Sequence, residues 1–230
     1  IKVTNGDAEE GDQLREYPWT GLYFNLGFEN NGVQINGVQG RDMDVKEGDA
    51  GLWYFGPGLH LGTTVDLGYV KNSSALSEFY LSVFLDLNFG MKVSTKSDYE
   101  ENYDLDGFPA WFGGGLGIAK RFYTGSAGFF IAPAIDASYH GTLNKGLNFQ
   151  HFTVTPQVQL GFSATPSFDF IIKAGWNLGF LTKAEEDDID VMDRYSPFVH
   201  GIYASLDFNF HLPIVSAMAR MYTPSSNVCR

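Results

Sequence analysis

From residue 19 to residue 212 the chain keeps returning to one pattern, in which large apolar side chains alternate with small or polar ones. In 204–212, Leu206, Phe208, Phe210 and Leu212 alternate with Asp207, Asn209 and His211. In 152–162 the apolar set is Phe152, Val154, Pro156, Val158, Leu160 and Phe162, against Thr153, Thr155, Gln157, Gln159 and Gly161. In 168–180, Phe168, Phe170, Ile172, Ala174, Trp176, Leu178 and Phe180 oppose Asp169, Lys173, Gly175, Asn177 and Gly179. A strand sends successive side chains to opposite faces, whereas a helix repeats every 3.6 residues. A period of two therefore predicts strands almost throughout, in segments near 19–29, 50–70, 77–95, 109–123, 127–140, 149–163, 167–181 and 196–212. Short connections at 70–75, 124–126 and 163–167 alternate with long ones at 30–49, 96–107, 141–148 and 182–195. That rhythm belongs to a meander, and the expected fold is all-β, an eight-stranded antiparallel up-and-down barrel.

Two such barrels exist, inside out relative to one another: a soluble one with its apolar face inward, and a transmembrane one with that face toward lipid. The polar face decides between them. It is compact rather than rich in long solvating side chains, with Gly58, Gly62, Gly113, Gly115, Gly117, Gly175 and Gly179 beside Asn25, Asn88, Asn177, Ser82, Ser138 and Ser205. Small residues suit the crowded lumen of an eight-stranded barrel, which has no room for the roughly fifty large side chains of the other face. The barrel is therefore expected to be transmembrane. Aromatics near strand ends are expected at the lipid interfaces: Trp19, Trp53, Phe79, Phe122, Phe168, Phe180, Phe198 and Phe210, with Phe55, Tyr139 and Phe149. Inside, Asp66, Asp86, Asp136, Asp169 and Asp207 share the lumen with Lys92, Arg121, Lys173, His60 and His211. Buried charges persist when paired, so a polar network that fills the lumen is expected.

Composition removes several function classes. The 230 residues carry a formal net charge of -12, which argues against a nucleic-acid partner. Cys229 is the lone cysteine, so neither an internal disulfide nor a cysteine metal site is expected. No run approaches the ~20 apolar residues of a membrane helix, and the acidic first residues lack the organisation of a signal peptide. His140 and His151 share the inward parity at neighbouring strand ends near Ser138, which raises a hydrolase reading. No GxSxG or HExxH accompanies them, and no catalytic residue is assigned. The acidic stretch 185–193 lacks the spacing of a calcium loop, and the glycines of 113–117 continue a strand rather than cradle phosphate. Neither metal nor cofactor is expected. A short repeat, NGVQ at 31–34 and 36–39, suggests a hairpin within a loop.

With these segments and acidic connections the chain resembles the small eight-stranded outer-membrane barrels of Gram-negative bacteria, the OmpA/OmpX-like and PorT-like group, in a style typical of Bacteroidota. The resemblance covers about 19–212. It implies an outer-membrane protein in contact with lipopolysaccharide or phospholipid, with both termini periplasmic and the acidic loops extracellular. In that group the last strand ends the chain at an aromatic residue. Here Phe208 and Phe210 fit, but 213–230 follows, and Pro213 stops strand pairing. The expected division is an N-terminal periplasmic extension over 1–18, the barrel over 19–212 and a periplasmic tail over 213–230. Ile214, Val215, Met218, Met221 and Tyr222 are candidates for docking on another envelope protein. The expected role is a non-enzymatic accessory or scaffold subunit of an envelope complex, with a narrow diffusion channel and a lipid-modifying enzyme as alternatives.

Overall fold

The structure, a computed structural model, describes residues 21–37, 50–67, 79–89, 110–124, 128–142, 147–165, 168–186 and 188–212. Its strands are β1 (Gly21–Gly37), β2 (Ala50–Asp66), β3 (Phe79–Phe89), β4 (Ala110–Lys120), β5 (Phe122–Thr124), β6 (Phe129–Thr142), β7 (Leu147–Thr165), β8 (Phe168–Glu186), β9 (Ile189–Asp190) and β10 (Tyr195–Leu212). Each long strand pairs antiparallel with its neighbour in sequence. β10 pairs with both β8 and β1, joining Phe208 to Leu26 on one side and to Phe170 on the other. The described long strands thus close into a ring of eight. β5 extends the line of β4 along β6, and β9 is a short return strand against the end of β8. Closure satisfies backbone donors and acceptors across the wall, the condition for β-structure in lipid.

The short β5–β6 and β7–β8 connections lie at one end of the ring, called here the turn side, and the opposite end is the loop side. At the turn side Gly128 takes a positive φ of 72°, which glycine adopts without strain. On the loop side the strands run further than alternation alone indicates. β1 continues through Gln34, paired with both His200 and Gly51, so the first NGVQ lies in the wall rather than in a loop hairpin. β6 and β7 continue to Thr142 and from Leu147, and β8 reaches Glu186, so much of 141–148 and 182–195 is strand. These extensions remain paired with neighbours, which outweighs their polar composition.

The outward face is apolar. Leu85, Leu116, Ile135, Leu160 and Leu178 are each half exposed or more. At about 2 kcal/mol per large side chain, leaving this face in water would cost tens of kcal/mol, more than the ~5–15 kcal/mol that stabilises a domain. Acyl chains are the solvent it fits. On the loop side Tyr139, Phe152, Phe180 and Phe198 are successive cross-strand partners from β6 to β10 and form one outward aromatic row. On the turn side Phe129 meets Phe162 at 4.7 Å and Phe168 meets Phe210 at 5.1 Å. Phe122 is also exposed there, and the Lys120 ammonium lies 4.6 Å from the ring centre of Phe79. Along β8, at about 3.3 Å per residue and a tilt of roughly 40°, the step from Phe170 to Phe180 rises ~25 Å, the height of a lipid-facing band. Trp19 and the side chain of Trp53 lie outside the described residues.

The inward glycines have a specific purpose. Several are direct cross-strand partners of inward rings, among them Gly62 of Tyr23, Gly113 of His140, Gly115 of Phe84 and Gly161 of Phe130. At each, a Cβ would run into the ring of its partner. Small residues on one strand thus seat planar side chains on the next, as glycine–aromatic pairing does in curved sheets.

Two prolines interrupt the wall. Between β4–β5 and β6 the register carries from Ala119–Ala134 to Phe122–Ile131, and the intervening positions, which include Pro133, drop out of the ladder. Between β7 and β8 the pairs Val154–Leu178 and Gln157–Gly175 flank a gap at Thr155 and Pro156. Proline has no N–H to give. The hydroxyl of Thr155 donates to Asn177 Oδ1 at 2.7 Å across the second gap.

Candidate functional site: the interior of the barrel

The interior has three zones. The central zone is polar and paired. Arg121 meets Asp169 at 3.0 Å and Lys173 meets Asp207 at 2.6 Å, with both carboxylates buried. The Arg121 guanidinium also lies over the rings of Phe130, at 4.3 Å, and Tyr80, at 5.0 Å. Asp86 is held between two imidazoles, His60 Nδ1 at 2.6 Å and His140 Nε2 at 2.9 Å. Gln157 donates to Asp136, and the hydroxyls of Ser138 and Thr153 share a hydrogen bond of 3.2 Å. These partners sit far apart in the chain, and antiparallel register brings them face to face.

The loop-side zone is apolar. Val33, Trp111, Phe149, Leu181, Ala184, Val191, Tyr195 and Val199 form one buried cluster, with Met192 packed against it. Tyr195 meets Phe149 edge-on at 5.2 Å. Part of this plug comes from the acidic stretch: the hairpin of β8 and β9 turns back and Val191 N–H donates to Ala184 C=O at 2.9 Å. Val191 is thereby buried in the mouth while Asp188, Asp190 and Asp193 stay exposed. Phe149 was expected at the lipid interface, but the structure buries it in this plug. Its parity with His151 and Thr153 is inward, and that signal overrides its position near a strand end.

The third zone is a cavity toward the turn side of about 80 Å³. Tyr23, His60, Tyr80, Arg121, Asp136 and Lys173 are among its walls.

Of the expected lumen groups, Asp86, Arg121, Asp136, Asp169, Lys173 and Asp207 lie inside the barrel. Lys92 and the side chains of Asp66 and His211 lie outside the described residues, as do the extension 1–18, the tail 213–230 and Cys229. Of the expected interface aromatics, Phe79, Phe122, Phe168, Phe180, Phe198 and Phe210 lie on the outward face. His140, His151 and Ser138 do come together, but not as a nucleophile with its base. Ser138 bonds Thr153, and His140 turns to Asp86. The sequence signal for the plug was present in inward parity; that these residues converge at one mouth was not readable from it.

The fold and interior define a class: a closed, lipid-facing eight-stranded barrel whose lumen is crossed by ion pairs and capped by apolar side chains at one end. No family model and no curated protein matches the chain. Among solved structures it is similar to Neisserial surface protein A, with 11% identity, a TM-score of 0.44 and coverage of 84% of this chain and 98% of that one. It is also similar to a major outer membrane protein of Thermus thermophilus, with 11% identity, a TM-score of 0.43 and coverage of 82% and 99%. The outer membrane protease OmpT of Escherichia coli matches at 9% identity and a TM-score of 0.33, covering 90% and 99%. At these scores the barrel assignment stands on this chain's own strand pairing.

Proposed function

We propose that the protein is a non-enzymatic integral barrel of a bacterial outer membrane that serves as an anchor or scaffold subunit for an envelope complex. The observation that carries this is the interior, ion-paired along its middle and capped by apolar side chains at the loop-side mouth. Among the described residues, paired charges across the middle and an apolar cluster at the mouth leave no open pathway at rest, and the outward band suits the barrel to hold position in lipid. Antiparallel barrels of this kind belong to outer membranes, with short turns toward the periplasm. On this reading the termini are periplasmic, and the tail meets a partner there through Ile214, Val215, Met218, Met221 and Tyr222.

The test is affinity purification in mild detergent of the full chain and of a chain lacking 213–230. Both are expected to show the heat-modifiable electrophoretic mobility of a folded barrel, and an envelope protein is expected to co-purify with the full chain alone. Equal co-purification removes the docking role, and a steady conductance at neutral pH overturns the closed interior.

A further inference from the structure

A chain of contacts joins the cavity to the plug. His60 lines the cavity and meets Asp86; Asp86 meets His140; the ring of His140 stacks on that of His151, with centroids 5.8 Å apart and planes 27° from parallel. His140 and His151 are direct cross-strand partners on β6 and β7. Trp111 of the plug covers both, with centroids 5.3 Å from His140 and 4.5 Å from His151. His151 is fully buried, and neither of its ring nitrogens has a hydrogen-bond partner among the described residues. From β6 it faces His140, from β4 the indole of Trp111, and from β8 its cross-strand partner Leu181. Asp86 on β3 and His60 on β2 lie beyond His140. Among the described residues, His140 is therefore the titratable group that His151 faces directly, and the carboxylate behind it is shared with His60.

We infer that the barrel is an acid-opened pathway for small ions, in which charging of His151, stacked on His140 beneath Trp111, displaces the apolar plug and connects the cavity with the loop side. A charged His151 ring would face the His140 imidazole and the Trp111 indole, and the nearby carboxylate, Asp86, already serves His60 and His140. A proton on His151 needs water, and water arrives there when Trp111 and its neighbours move away. Acid thus favours the hydrated arrangement over the closed one, by linkage. With an ordinary imidazole near 6.5 in the open state, lowering the pH to about 5 shifts the open population by roughly thirtyfold for one histidine. This extends the reading of a closed scaffold, since it concerns what the closed interior does when acidified.

The experiment is planar-bilayer conductance of the full-length protein at about pH 7.5 and about pH 5, which bracket the imidazole range. Wild type is expected to be silent at the higher pH and to open at the lower. His151→Phe, which keeps a ring against Trp111, is expected to stay silent at both, while His200→Gln, altering an outward imidazole stacked on Trp176, keeps the response. His151→Gln provides a second removal of the titratable group should the phenylalanine variant fail to fold. Silence of the wild type at both values overturns the inference and leaves the scaffold reading intact. Conductance of the wild type at the higher pH overturns both. A full acid response in the folded His151 variants removes His151 as the trigger.

Discussion

The middle of the lumen and its loop-side mouth are closed by different physics. In the middle, closure is directional: Arg121 on Asp169, Lys173 on Asp207 and two histidines on Asp86. At the mouth it is not. Val33, Trp111, Phe149, Leu181 and Val199 exclude water by filling space. A buried ion pair depends strongly on both partners, because removing one strands the other without solvent or counter-charge. An apolar cluster loses stability in proportion to the volume removed and tolerates exchange among similar shapes. The middle therefore fixes which strand faces which, and the mouth sets how easily that end opens.

That contrast is broken most severely at Asp169. Asp169→Ala leaves the buried Arg121 guanidinium without its carboxylate and is expected to cost ~3–5 kcal/mol, measured by denaturant unfolding in detergent micelles against wild type. A cost below about 1 kcal/mol would show that Arg121 is served by other groups and that the pair is incidental. At the mouth, Leu181→Ala is expected to cost a smaller ~2–3 kcal/mol. It should also raise conductance at neutral pH, because it thins the plug while leaving the ion pairs in place. Lost stability without any conductance would show that the mouth is not the barrier. The smallest effect is expected in the wall. Pro156→Val returns a backbone donor to the β7–β8 gap, worth ~0.5–1.5 kcal/mol. Amide exchange at Asn177 and its neighbours on β8 should slow, and unchanged exchange would mean that Thr155 already bridges the gap.

Much of the wall was legible because the period of two assigns each residue to a face before any neighbour is known. Phe180 and Phe198, or Asp169 and Asp207, fall on their faces by parity alone. Strand ends were less legible. The acidic run after Thr182 reads as a loop, yet β8 continues through it to Glu186. The register slips by one residue there, and the Thr182 hydroxyl donates to Gln150 C=O at 3.0 Å. Such a bulge leaves no mark on the hydrophobic pattern. Nor does the return of Val191 into the mouth, since a few apolar residues among aspartates look like any exposed loop.

By itself the amino-acid sequence determined the strand period, the apolar outer face and the compact polar inner one, because side-chain direction in a strand is a local property of the backbone. Only the tertiary structure decided which carboxylate meets which cation, that His140 and His151 stack beneath Trp111, and that eight scattered apolar residues gather at one mouth. Those outcomes depend on strand register and barrel closure, which couple positions tens of residues apart and are set by the whole ring at once.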